Sequence, residues 1–347
     1  MEIPRRFSSS SRSVSTPVSV RTRAVLPWSM CPAVPAMMFR IVTTIILLTV
    51  AIVPGLAQET ETAVFKTGVA DVRVVVQVTE NNQLLTDLKQ EDFVLKDDDQ
   101  PQKIVYFARE KEPLTLLLLL DISGSMRAHV QQMSETARDA LNFLSPGDRI
   151  GIMTFGLHTN LHFDFFDNHA EVARQLRTAA DDQEKTGYGT AINPAIIDAS
   201  KLLLKDGDPG RRSILIVTDN LGTNYQANDQ MAIGYLLRAD ATLNAIVVGR
   251  GIRPGPRREG DDPDLTPADV FKLAEATGGE AVKAERAAAN FGEMVSRIRD
   301  RYTLAYHVPE GAKPGSFRSI SVVLSPAAMK LHPQAIVRAR SGYYVKD

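Results

Sequence analysis

Hydrophobic positions along the chain follow one period at each end and another in the middle. From Val69 to Thr79 they alternate, with Val72, Val74, Val76 and Val78 on one side, which predicts a half-buried strand. Two further strands are predicted over Glu91 to Lys96 and Lys103 to Ala108, separated by turns at Asn81-Asn82 and Asp97-Asp98-Asp99. The pattern then becomes denser. Leu114 to Asp121 contains the unbroken run Leu116 to Leu120, the signature of a strand buried on both faces of a parallel sheet. Met126, Val130, Met133, Ala137, Leu141 and Leu144 next recur at helical spacing until Pro146-Gly147 stops them. Ile150 to Phe155 is the following strand, with Leu161 to Phe166 as its antiparallel edge partner. Helical patterns at Ala170 to Ala179, Ile192 to Leu204, Gln230 to Ala239 and Pro267 to Ala276 alternate with strands at Ser213 to Val217, Leu243 to Val248 and Glu280 to Val282. Phe291, Met294, Val295 and Ile298 mark a last helix, after which Tyr302 to His307, Phe317 to Leu324 and Ala335 to Arg340 return to strand, split by turns at Pro309-Glu310-Gly311 and Ser325-Pro326.

Alternating strands and helices over 114–301 predict an α/β domain. Three strands before it (65–112) and three after it (302–347) are each too few to bury a core. The simpler organisation is one small β-sandwich built from both ends of the chain, with the α/β domain inserted in it. The alternative is two separate β units flanking it.

Composition adds bounds. The chain has 347 residues, a formal charge of −1 and one cysteine, Cys31. Bulk charge gives no reason to expect nucleic acid as a partner. Residues 1–57 differ from the rest: six Arg, no Lys and a single acid, Glu2, give them +5 and leave −6 for the remainder. Arg40 precedes the mostly apolar stretch Ile41 to Val53, and Pro54-Gly55-Leu56-Ala57 follows with small residues suited to a signal peptidase. The stretch is shorter than the about 20 residues a spanning helix needs. Cleavage after Ala57 is therefore expected, giving an exported, periplasmic or extracellular protein with no stable membrane span; an uncleaved anchor is the alternative. Residues 1–36, rich in Ser, Arg and Pro, read as a disordered extension or as sequence upstream of a true start at Met37 or Met38.

The candidate chemistry lies where strands end. Asp121, Ser123 and Ser125 follow the leucine run, at the carboxyl edge where open α/β sheets place ligands. Three hard oxygen donors in five residues suit a small hard cation such as Mg2+; the plain alternative is that Asp121 and Ser123 cap the next helix. Thr190 ends Gly187-Tyr188-Gly189-Thr190 at the start of another helix, and Asp219 stands just past the Ser213 to Val217 strand. These five residues can converge from three loops on one sheet edge.

The pattern D-x-S-x-S, then a Thr, then Thr-Asp resembles the von Willebrand factor A (VWA) domain with its metal-ion-dependent adhesion site. The resemblance covers roughly Leu114 to Arg301, and it implies a Rossmann-like, doubly wound fold. It also implies a metal site of Asp121, Ser123, Ser125, Thr190 and Asp219, holding Mg2+ (or Mn2+ or Ca2+). The hydroxyls would reach the metal, the aspartates would act largely through waters, and an Asp or Glu carboxylate of a protein partner would complete the shell. The implied activity is adhesion-type binding and not catalysis. Asn220 departs from the family, which has Gly there; Asn tolerates the left-handed backbone better than other side chains. Asp87 to Phe107 and Val337 to Tyr344 resemble the leader and ending of bacterial secreted proteins with a VWA-related domain.

Other chemistry has less support. A Mg2+-dependent phosphoester hydrolase with Asp121 as nucleophile is the alternative function, but Ser123 stands where that chemistry wants a second acid. His158 and His162 are four apart on strand and turn and lack the glutamate of a zinc protease helix, so they read as exposed strand residues. Asp97 to Asp99 lack the spacing and glycine of a calcium loop and read as a solvated turn. Arg211-Arg212 and Arg257-Arg258 read as solvated loop charges.

Overall fold

The computed structural model describes residues 71–109, 112–225, 227–249 and 265–346. The export segment, Arg257-Arg258 and most of the loop from Gly249 to Thr266 lie outside the described residues.

Two four-stranded paths make the β part. Strand β1 (Asp71–Glu80) carries β2 (Gln83–Leu84) after the Asn81-Asn82 turn, both of whose residues have positive φ. Next come β3 (Phe93–Asp97), β4 (Gln100–Gln102) and β5 (Tyr106–Arg109). Strands β14 (Tyr302–His307), β15 (Phe317–Leu324), β16 (Ile336–Ala339) and β17 (Gly342–Tyr344) come from the far end of the chain. One sheet runs β16-β1-β14-β5 and the other β17-β15-β3-β4, with β1 antiparallel to β14 and β3 antiparallel to β15. The alternating valines of β1 bury into one cluster with Phe93, Leu95, Tyr302, Leu304, Tyr306, Val322 and Leu324.

The α/β part contains β6 (Leu114–Asp121), α1 (Arg127–Leu141), β7 (Arg149–Phe155), β8 (Thr159–Phe166), α2 (His169–Gln175), α3 (Gln183–Thr186), α4 (Ile192–Asp206) and β9 (Arg211–Thr218). It continues through β10 (Thr223–Tyr225), α5 (Asp229–Arg238), β11 (Ala241–Val248), β12 (Leu265–Pro267), α6 (Val270–Ala276), β13 (Ala281–Ala284) and α7 (Ala287–Arg299). The sheet order is β13-β11-β9-β6-β7-β8; all pairs are parallel except the β7–β8 edge. Helices cover both faces. Leu116, Leu118 and Leu120 pack with α1 and α7 on one side, whereas Leu117 and Leu119 pack with α4 and α5 on the other. That two-sided burial is why β6 shows a continuous apolar run instead of alternation.

Several local readings need correction. Asp97 is not part of a solvated turn: it ends β3, is fully buried, and accepts hydrogen bonds from Tyr306 (2.7 Å), Tyr343 (3.0 Å) and Arg318 Nε (2.7 Å). Asp98 and Asp99, both with positive φ, make the turn itself. Arg211 is not a loop charge either; it begins β9, is buried, and donates to the Arg299 carbonyl at 2.9 Å. The helix read from Pro267 starts at Val270, because Asp269 accepts from the Phe271 and Lys272 amides as a cap while Leu265–Pro267 pairs with β10. The Ser325-Pro326 turn proves to be a helix start: Ser325 accepts from the Ala328 amide and Pro326 opens helix α8 (Pro326–Leu331).

Candidate metal centre

The chain leaves β6 in one direction to build β7 and β8 and returns on its other side to build β9, β11 and β13. The β6–β9 boundary is therefore the switch point of the sheet, where the loops diverge and leave a crevice. Asp121 ends β6, and Asp219 follows β9 directly.

Asp121 is fully buried. Its Oδ1 accepts from the Ser123 amide at 3.0 Å and its Oδ2 from the Thr218 hydroxyl at 2.7 Å. Burial pushes the Asp121 carboxyl up to about 6, against the pull of the Thr218 and Ser123 donors. Ser123 opens the turn into α1, its carbonyl accepting from the Met126 (2.9 Å) and Arg127 (3.2 Å) amides. The Ser123 and Ser125 hydroxyls stand 3.4 Å apart, and Ser125 donates to Asp219 Oδ2 at 2.8 Å. Asp219 Oδ1 in turn accepts from the Leu221 amide at 3.0 Å. Four of the five candidate residues thus form one connected cluster.

Thr190 reaches the same edge through its backbone. Gly222 lies so close to the 187–190 loop that a Cβ there would come within 2.5 Å of the Thr190 carbonyl. On the other side a Cβ at Gly156 would come within 2.5 Å of the Gly187 carbonyl, and the Ala191 amide donates to the Gly156 carbonyl at 2.8 Å. Only glycine allows these two close approaches, which clamp the Thr190 loop between the loops after β7 and β9. Asn220 has φ of 56°, so it takes the left-handed turn in which the sequence pattern favours glycine. Around the crevice stand exposed apolar side chains, Leu221 (64%), Tyr188 (84%) and Leu157 (39%).

Two supporting residues escaped the sequence reading. Thr218 was visible only as part of a Thr-Asp pair, yet its hydroxyl holds Asp121 while accepting from the Asn220 amide at 3.1 Å. Its signal is a polar residue directly after the apolar run Ile214 to Val217. His162 is the second, and it corrects an expectation. Its side chain is only 9% exposed, with Nδ1 2.6 Å from Asp182 Oδ2 and Nε2 3.0 Å from the Gln175 carbonyl. Asp182 also accepts from Thr154, Asn160 and Lys185, so this cluster ties β7 and β8 to the segment before α3. His158, in contrast, is exposed as expected.

The donor set fits a hard divalent cation. It offers carboxylate and hydroxyl oxygens and neither sulfur nor imidazole, the pattern of Mg2+ and its relatives. A buried carboxylate held only by neutral donors is also what a nearby positive charge would stabilise.

Residues 116–222 match the family model of the von Willebrand factor type A domain. A comparison with curated proteins finds no match. Among solved structures, BatB, a conserved hypothetical protein of Bacteroides thetaiotaomicron, is similar at 15% identity, covering 53% of this chain and 97% of that one, with a TM-score of 0.39. A von Willebrand factor type A protein of Catenulispora acidiphila is similar at 12% identity over 82% of this chain and 76% of that one, TM-score 0.42. Proximal thread matrix protein 1 of the mussel byssus, in a form with a zinc-occupied MIDAS motif, is similar at 13% identity over 58% of this chain and 49% of that one, TM-score 0.43. The matched segment runs from the leucine strand to Gly222 and so contains Asp121 and Asp219. The part of the chain that matches a von Willebrand factor type A domain is residues 116–222, the stretch that holds the candidate metal centre.

Proposed function

We propose that this protein is an exported, divalent-metal-dependent binding module. Asp121, Ser123, Ser125, Thr190 and Asp219 would hold Mg2+ (or Mn2+ or Ca2+), and an Asp or Glu carboxylate from a protein partner would complete the site. The carrying observation is the connected cluster at the β6–β9 switch point, in which Ser125 bridges the loop after β6 to Asp219 at 2.8 Å. A cation there offsets the cost of stripping water from the partner's carboxylate. Tyr188 and Leu221, exposed on the neighbouring loops, would meet the partner beside that carboxylate and supply apolar contact.

The saturation of Asp121 favours binding over phosphoester hydrolysis. Both of its oxygens already accept hydrogen bonds and the side chain is fully buried, so neither oxygen is presented to an incoming phosphorus. Immobilised protein should retain an envelope partner in Mg2+, release it on chelation, and retain none when Ser125→Ala is used. Equal retention with chelator, or Mg2+-stimulated cleavage of generic phosphate esters by the wild type only, would overturn the reading.

Export rests on the Ile41 to Ala57 pattern. Among the described residues no helix is long and apolar enough to cross a membrane. Mass spectrometry of the native protein should place the mature N-terminus at or near Gln58; an intact Arg40 to Ala57 segment would instead indicate an anchored form.

A further inference from the structure

The opposite end of the α/β sheet carries a second feature, unrelated to the metal centre. Strand β9 separates the two, and its eight residues put them on the order of 25 Å apart. Here the start of β9, the turn before β11 and the two ends of the β part enclose a cleft of about 240 Å3.

Its charge is one-sided. Arg73, Arg212, Arg238, Arg340 and Lys346 line it, against two carboxylates among the described residues, Asp71 and Asp240. Asp71 is already engaged by His307 at 2.6 Å. Asp240 accepts from Arg340 Nη1 at 2.5 Å. Burial raises the Asp240 carboxyl, yet Arg340, Lys346, Arg73 and Arg212 together bring it below its ordinary range. One carboxylate thus sits in the field of four cations.

The arginines spend their hydrogen bonds mainly on neutral acceptors. Arg212 donates to the carbonyls of Ala239 (3.0 Å) and Asp208 (2.6 Å), and Arg73 to that of Pro209 (2.5 Å). Arg340 also donates to the Arg73 carbonyl. Such bonds fix the guanidinium groups without neutralising them. Arg73 has one ion pair besides, with Glu112 at 3.6 Å. The Nε atoms of Arg212 and Arg340 are buried with no acceptor among the described residues. Arg238 lies over the Tyr344 ring, its Cζ 3.8 Å from the centroid, which holds a further cation at the wall.

We propose that this cleft binds a small, multiply charged oxyanion of the phosphate class. Fixed guanidinium groups match a tetrahedral oxyanion better than a point charge would. The cleft, at about 240 Å3, has room for an ion of this size. The site lies between the β part and the α/β domain, so an anion there would tie Arg73, Arg340 and Lys346 of the first to Arg212 and Arg238 of the second.

Calorimetric titration of inorganic phosphate into the full chain tests it, with chelator present and chloride balancing ionic strength. A saturable one-to-one isotherm is expected. Lys346→Gln, an exposed lysine whose loss should not affect folding, should weaken it about tenfold, the worth of one charge-assisted hydrogen bond. Arg212→Gln should weaken it at least as much, while Lys330→Gln on α8 should leave it unchanged. Sulfate competing with phosphate supports the tetrahedral class. The proposal is overturned if no saturable binding occurs, if both cleft variants bind as the wild type does, or if acetate binds as tightly as phosphate.

Discussion

Deleting Tyr302 to Asp347 is expected to unfold the N-terminal β segment and leave the α/β domain folded. Strand β14 lies between β1 and β5, and β15 lies between β17 and β3, so the deletion removes a partner from three strands at once. Strand β1 would keep only the two-residue β2, and β3 only β4. Nine of the seventeen buried side chains in this core, from Tyr302 to Val345, would go with the tail. At about 1.5–3 kcal/mol for each large apolar side chain, that loss matches or exceeds the about 5–15 kcal/mol by which whole domains are stable. The leucine strand depends on other contacts. Its two faces are covered by α1, α7, α4 and α5, and Tyr344 is the tail's contribution to those clusters, as a partly buried neighbour. Amide exchange should therefore show Val72 to Val78 unprotected and Leu116 to Leu120 still protected in the truncated chain. Protection persisting at Val72 to Val78 would mean that the two β segments do not depend on each other.

The central strands and longer helices of the α/β domain are legible because each is long and its burial is simple. Leu114–Asp121 has the bounds its composition suggests, since a strand covered on both faces must be apolar throughout. Tyr302–His307 and Phe317–Leu324 likewise coincide with their patterns. What escaped were features set by contacts distant in sequence. Asp97 reads as a turn residue because two more aspartates follow it; only the folded sandwich brings Tyr306 and Tyr343, over 200 positions later, onto its carboxylate. Arg211 reads as a loop charge until the Arg299 carbonyl accepts from it. His162 looked exposed because it sits on an edge strand, yet the segment before α3 folds back over it. Helix α8 is different, since its Ser-Pro start is a capping signal already present in the sequence, one that also suits a turn.

At the candidate metal centre the hydroxyl and carboxylate positions could be named from strand ends alone. Periodicity fixes where a strand stops, and the switch point follows from the order of strands. The support beneath them was less visible. Thr218 acts on Asp121 across 97 positions, and the closeness of Gly156 and Gly222 to the Thr190 loop depends on how three loops stack.

Asp121→Asn is expected to remove divalent-metal binding while stabilising the metal-free protein. Asparagine keeps the shape of the side chain and can accept from the Ser123 amide, so the turn into α1 should persist. It lacks the charge. The ordinary value of 3.8 and the folded value of about 6 mean that the ionised carboxylate is held at a cost of about 3 kcal/mol without metal. The sign follows from proton linkage: the unfolded chain ionises first, so metal-free stability falls as pH rises from about 4 to about 6 and is then level. Asp121→Asn should abolish that fall and raise the melting temperature at neutral pH in chelator. A cation beside the carboxylate reverses the balance in the wild type alone. Ser123→Ala and Ser125→Ala should weaken metal binding strongly, by loss of a hydroxyl donor and not of the charge.

The measurement that bears most directly on the central claim is calorimetric titration of Mg2+ and Mn2+ into the wild type and Asp121→Asn, both shown by circular dichroism to be folded. A saturable one-to-one isotherm in the wild type and none in Asp121→Asn is the predicted result. Equal affinity in the two proteins, or no binding to either, would contradict a metal centre at the end of the leucine strand.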